Sequence, residues 1–450
     1  MQASYIFLII LLVAALGVCS IVFPEGVGAI VILTLMTALT LPVLLRNSND
    51  SGFIYKLFLA GLLIRILFGS FIYVLELQDF FGPDAITYDA RGSLIADYWH
   101  GQEQFSDPYL DIAMSTSGAG WGMHYLVAAI YYIGGRNPLA AMAFCWVFGA
   151  AIGPVVYICC QRIFNNSQVA RFAAFMTAFF PAFVIWSSQL VKDGLIIFLL
   201  VVVMITVIRL QEKFSYGALI ALILGMFGIL SLRFYIFYML AIAVVGSFVI
   251  GLSNSPASVF RRTAVLIILG IGLTYLGVIR NASVNFEKYG TLERLQRSRS
   301  DQAIRGESGF GEDIDVSTTE GALTAVPVGL AYLMLAPFPW QIGNLRQAVA
   351  LPETLLWWAM IPLMIAGIIY TVRHRLREAF PILLFSLMLT LAYSIFQGNV
   401  GTAYRQRTQI QVFLFMFIAV GWVLRKEMKE NRQIEARARQ QSLPTTHGST

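Results

Sequence analysis

The sequence is poor in charge and poor in cysteine, and each shortage excludes a class of protein. Only 12% of its 450 residues are Asp, Glu, Lys or Arg, where a soluble domain carries about 25%. That excludes a water-soluble globular chain. The four cysteines, Cys19, Cys145, Cys159 and Cys160, all fall inside apolar runs. Their spacing suits neither a metal site nor a disulfide framework, and they read as small apolar core residues. Alternating ten-residue segments, the mark of a transmembrane barrel, are missing. So are a Walker loop, an HExxH helix, a CxxC pair and a nucleophile elbow. ATP-driven transport and metalloprotease chemistry therefore lose their basis. No internal repeat points to an inverted-repeat transporter.

What fills the chain is apolar. Hydrophobic residues make up 58% of it, and the mean hydropathy is +0.72. Runs of about 17–25 apolar residues recur, each long enough to cross a bilayer as a helix. The expected class is an all-α, polytopic integral membrane protein. The runs predict about twelve transmembrane helices, at 5–23, 28–45, 57–76, 139–160, 169–186, 194–210, 216–232, 235–252, 263–280, 354–371, 380–396 and 409–424. The first has no basic residue before it and no cleavage site, so it reads as a retained helix. Two further stretches, 121–134 and 323–339, are short or interrupted.

Charge sets the expected topology. With the N-terminus inside, the cytoplasmic loops hold Arg46 and Lys56, Arg162 and Arg171, Arg209 and Lys213, Arg261 and Arg262, and Arg373 to Arg377. The tail from Arg425 is also cytoplasmic. This works only if 121–134 and 323–339 do not cross, so both are expected as interfacial or re-entrant helices on the outer side. The transmembrane domain is then 1–428, with outer loops 77–138 and 281–353, and 429–450 is expected to be a disordered cytoplasmic tail. The net charge of +6 belongs to this pattern and is no sign of nucleic-acid binding.

Between Gln78 and Gly120 the chain carries Asp79, Asp84, Asp89, Asp97, Glu103, Asp107 and Asp111 against a single Arg91. Asp84 and Asp89 follow a Gly-Pro turn just after a span. A carboxylate there suits a general base or a cation ligand, although a spacing of five does not put the pair on one helix face. Lys192-Asp193 opens another span from the same side, and an ionisable residue at a span is a site candidate. Arg233 and the run Tyr404-Arg405-Gln406-Arg407 sit on outer turns, where the charge rule disfavours them; guanidinium forks suit phosphate oxygens. Trp340 follows Pro337-Phe338-Pro339 and reads first as an interfacial belt residue, with substrate stacking as its other role. His124, in 121–134, is a weaker candidate.

These motifs resemble the GT-C glycosyltransferases, multi-span enzymes that include protein O-mannosyltransferases and lipid A aminoarabinose transferases. The likeness rests on Pro83-Asp84-Ala85-Ile86-Thr87-Tyr88 with Asp89, on Arg136-Asn137-Pro138 leading into a span that ends at Gln161-Arg162, on Phe180-Pro181, and on the acid Asp193 opening the next span. It covers roughly residues 57–250. Two spans precede the acidic loop here instead of one, and Trp121-Gly122-Met123-His124-Tyr125 stands where some members have His-Pro-Pro. The second half, through Pro337-Phe338-Pro339-Trp340 and Gly401-Thr402-Ala403-Tyr404-Arg405-Gln406-Arg407, is similar to bacterial envelope-polysaccharide membrane proteins.

The resemblance implies a glycosyltransferase in the bacterial inner membrane, with both termini cytoplasmic. It would move a sugar from a polyprenyl phosphate or diphosphate to a glycan, lipid or protein hydroxyl on the outer face. Asp84 would be the base. Asp89 and Asp193 would support it, and Asp84 with Asp193 would hold a divalent cation, Mg or Mn, if one takes part. Arg91, Lys192, Arg233, Trp340, Tyr404, Arg405 and Arg407 would bind substrate. An envelope polysaccharide polymerase or ligase, and a polyprenyl-glycan flippase or transporter, stay open as alternatives.

Overall fold

Cap residues start the helices where the apolar runs begin. Asp50, Asn137, Asn166, Ser215, Ser255 and Asn344 each accept a hydrogen bond from a backbone N–H of the first turn that follows, which satisfies donors the helix itself leaves free. The computed structural model describes residues 25–102, 108–250 and 255–441, with isolated positions at 10, 13–14 and 17–18. Among these it is helical, with no strand and one isolated backbone bridge, Gly309 to Asn399.

In chain order the helices are α1 (Gly26–Arg46), α2 (Ser51–Val74), α3 (Gln78–Phe81), α4 (Asp84–Trp99), α5 (Pro108–Met114), α6 (Trp121–Gly134), α7 (Pro138–Phe164), α8 (Ser167–Phe179), α9 (Pro181–Ser187) and α10 (Asp193–Glu212). Then follow α11 (Tyr216–Leu232), α12 (Phe234–Ile250), α13 (Pro256–Tyr275), α14 (Val278–Tyr289), α15 (Leu292–Arg305), α16 (Thr319–Leu335), α17 (Leu345–His374), α18 (Leu376–Phe396) and α19 (Val400–Gln441). Eight of the described helices are long and apolar enough to cross a membrane: α1, α2, α7, α10, α13, α17, α18 and α19. The pair α8 and α9, bent by 54°, makes a ninth if counted as one span. The runs at 216–232 and 235–252 are 17-residue helices, α11 and α12. The expected first span, 5–23, lies outside the described residues save for single positions.

The core is the packing of α7 against its neighbours. Nearly all of α7 is buried, including Cys145, Cys159 and Cys160, against α1, α2, α8 and α10. The other buried rod is the first half of α19, which packs on α17 and α8.

The loops sort to two ends. At one end Arg171 pairs with Asp50 (2.5 Å), Arg162 with Glu212 (3.1 Å) and Lys426 Nζ with Gln168 (3.3 Å). Arg209 reaches Asn47 (3.4 Å), and Arg261 donates to the Gln211 carbonyl. This is the basic end. At the other, Asn137 holds the Glu25 carbonyl (2.9 Å), Arg346 the Asp79 carbonyl (3.1 Å), and Phe310 N–H the Gly398 carbonyl (2.8 Å). The helix covering most of 323–339, α16, has both of its ends at this second end. Val316, Ala322 and Ala325 pack with Ile395, while Ala336 packs with Phe310 and Val400.

One expectation changes. Of residues 429–450, expected to be disordered, 429–441 continue α19 to Gln441, and 442–450 lie outside the described residues. Apart from Asn431 and Ile434, residues 429–441 are Lys, Glu, Arg, Gln and Ala, the better helix formers, and Lys426 with Glu430 adds an i,i+4 pair at 3.9 Å.

Candidate active site

The site begins where one span breaks. Pro181 has no N–H and disfavours a helical residue before it, so α8 ends and Phe180 is extended (φ −64°, ψ 130°). The buried Arg65 of α2 stitches the break, donating to the carbonyls of Gly61 (2.8 Å) and Ala178 (3.2 Å) and to Ser187 Oγ (2.6 Å). The short α9 then ends, and Ser188 Oγ and Gln189 Nε2 donate to the carbonyls of Val184 (2.7 Å) and Ile185 (2.9 Å) at its close. Gly149 and Gly194 let the backbone close on this turn: a Cβ at either would meet Ser187 Cβ, at 2.6 and 2.7 Å.

The turn delivers Asp193 to the first residue of α10, fully buried. A buried carboxylate must be paired, and this one is paired twice. Arg405 Nε (2.8 Å) and Nη2 donate to Oδ2, and Arg233 Nη2 donates to Oδ1 (3.3 Å). The remaining edge of the Arg405 fork reaches Asp84 Oδ2 at 2.9 Å. Its guanidinium lies over the Trp186 ring, 4.9 Å from the centroid. One arginine thus joins α4, α9, α10 and α19. The Asp84 side chain is 45% exposed and that of Asp193 is 0% exposed, so the two carboxylates are not equivalent. Asp84 is open to a reactant; Asp193 fixes the arginines.

These groups border a cavity of about 710 Å³ at the non-basic end. Asp84, Arg233 and Arg405 lie in its wall, with Tyr404, Trp186 and Glu353. Phe80, Phe81, Pro181, Ile185 and Val349 supply an apolar side. The loop 306–308 and the turn 399–402 roof it, tied by Val400 N–H to the Ser308 carbonyl (2.9 Å) and by Phe310 stacked on Tyr332 (4.1 Å). Arg346 crosses the mouth from Glu307 (3.5 Å) to the Asp79 carbonyl.

Not every expected site residue belongs here. Asp89 does not line this cavity; it accepts hydrogen bonds from Arg136 (2.5 Å) and Tyr131 (2.7 Å). Five residues along α4 turn a side chain about 140° from Asp84, which sends it to α6. Arg407 is also elsewhere. Two residues from Arg405, it points across α19 and donates to the carbonyls of Met334 (3.2 Å) and Ala336 (3.0 Å), fastening the end of α16. Trp340 is 72% exposed beside Phe338 and Trp358, outside the cavity. Arg91 does not line the cavity.

Lys192 is buried beside the site, its ammonium 5.7 Å from the Tyr88 ring centroid. Burial first, then Arg233, pushes its pKa down to about 7. Burial, with Arg91, pushes His124 down to about 4, so that imidazole is neutral near pH 7. The Tyr88 hydroxyl is pushed up by burial and by Asp84.

The donor set does not fit a divalent cation. Asp84 and Asp193 are both held by the Arg405 guanidinium, whose positive charge would repel a divalent ion placed between them. No group of three His, Cys, Asp or Glu side chains occurs among the described residues. No step below passes through a metal.

Glu353, Trp186 and Arg346 are among the wall residues that the sequence did not single out. Glu353 stands one residue before the expected span 354–371, where an acid carries no mark of its own. Compared with known families, curated proteins and solved structures, the chain matches none.

Proposed function

We propose that the protein is a membrane glycosyltransferase that takes a sugar from a polyprenyl-phosphate carrier. The observation that supports this most is Arg405, clamped by buried Asp193 and sharing its free edge with the half-exposed Asp84 at a roomy, partly apolar cavity. By the positive-inside rule the basic end faces the cytoplasm, and the cavity then opens on the outer side.

The carrier phosphate would displace Asp84 from Arg405 Nη1 and take a second donor from Arg233, whose Nη1 is buried without a partner. The isoprenoid would lie along the apolar side. Asp84, released, accepts the proton of an acceptor hydroxyl as that oxygen attacks the anomeric carbon. The bond from that carbon to the phosphate oxygen breaks, and the electron pair leaves with the phosphate. Arg405 and Arg233 meet the charge that grows there. The acceptor is a hydroxyl of a glycan, a lipid or a protein.

The test is a reconstituted full-length chain given a panel of polyprenyl-phosphate sugars and scored for released carrier and a new glycosidic bond. Both should appear, and Arg405→Ala should slow release by about 10²- to 10³-fold. Passage of labelled lipid-linked sugar across the vesicle with no new bond would instead establish a transporter.

A further inference from the structure

Resting on that reading, we infer that Glu353 and Trp186 form a sugar-hydroxyl subsite in the cavity wall, separate from the arginines that would take the phosphate. Glu353 is 5% exposed. Its Oε2 accepts from the Ala182 N–H (2.7 Å) and from the Tyr404 hydroxyl (2.8 Å). Its Oε1 is buried with no hydrogen-bond partner. Trp186 Nε1 is in the same condition. Both residues border the cavity, from α17 and from α9.

Unpartnered buried polar atoms are costly, and each needs an explanation. Here two belong to residues of one cavity wall, one an acceptor and one a donor. A hydroxyl has one proton to give and lone pairs to receive, so the hydroxyls of one polyol can satisfy both. A phosphate oxygen cannot, because it has no proton for Glu353 and its charge would oppose a carboxylate. An isoprenoid tail offers neither group. The occupant that fits is therefore the polyhydroxylated ring of the carried sugar.

Position supports this. Tyr404, which binds Glu353, precedes Arg405, and the Arg405 guanidinium lies over the Trp186 ring. A phosphate on Arg405 would thus have its sugar beside the Glu353–Trp186 wall. Glu353 would be the residue that distinguishes a loaded carrier from an empty one.

The experiment measures binding to the full-length protein in detergent. The probes are polyprenyl phosphate alone and polyprenyl-phosphate glucose, mannose, galactose and N-acetylglucosamine. The wild type should bind at least one loaded carrier more tightly than the bare one. Glu353→Gln keeps an oxygen for Ala182 N–H and should weaken that loaded carrier by about tenfold or more, leaving bare-carrier affinity within about twofold. Arg405→Ala should weaken both. If Glu353→Gln does not fold, Trp186→Phe, which leaves a smaller aromatic ring under Arg405 and removes the donor, should show the same selective loss. Equal loss for bare and loaded carrier, no loss, or a wild type indifferent to the sugar overturns the subsite. A wild type that binds neither form overturns the glycosyltransferase reading itself.

Discussion

Lys192 shows how one buried charge couples this site to pH. Its ammonium is enclosed next to Arg233, and both burial and that guanidinium favour the neutral amine, with a pKa near 7 against an ordinary 10.5. The sign follows directly. Between about pH 7 and 10.5 the folded chain has lost this proton while the unfolded chain keeps it. The unfolded state binds more protons in that window, so stability rises with pH across it. The thermal midpoint of the wild type in detergent should climb by several degrees from pH 7 to pH 10. Lys192→Met should flatten that climb and raise the midpoint at pH 7, where the buried charge is still partly present. A slope unchanged by Lys192→Met would show that other groups produce it. Asp193 is the opposite case: its charge is kept because two guanidinium groups hold it.

At the scale of the element, the break between α8 and α9 decides what reaches the cavity. Pro181 ends one helix, Arg65 holds the freed Ala178 carbonyl, and Glu353 takes the Ala182 N–H. The bend of 54° carries Trp186 under Arg405. Pro181→Ala restores the missing donor and favours one continuous helix. Sugar transfer should then fall by about a hundredfold through misplacement of Trp186, with the thermal midpoint little changed. Transfer at the wild-type rate would show that the bend does not matter. The bend was not anticipated, since Phe180-Pro181 fell inside the single expected span 169–186, whereas the helices were legible because apolar runs of bilayer length are hard to read otherwise. Asp84, Asp193, Arg233 and Arg405 were legible as charges at span edges. Asp89 and Arg407 lie away from the cavity wall because nearness in sequence is not nearness on a helix: offsets of five and of two residues point elsewhere. Glu353 and Trp186 were not legible at all. Their significance lies in what fails to touch them, which only the packed structure reveals.

For the whole molecule, the organising fact is a division of labour between two ends. The basic loops knit one end together, while the other gathers chemistry from distant parts of the chain. Asp193 and Arg405 are 212 residues apart in sequence and share a salt bridge, and Asp84 joins them from a third hairpin. In the proposed reaction, bringing these three together would make Asp84 a competitor for the phosphate as well as the base. The most direct test is therefore a pair of measurements on Asp84→Asn: affinity for polyprenyl phosphate, and turnover of a lipid-linked sugar. Removing the competing carboxylate should tighten phosphate binding several-fold and lower turnover by about 10²- to 10⁴-fold. Weaker or unchanged phosphate binding, or turnover at the wild-type rate, would contradict the account.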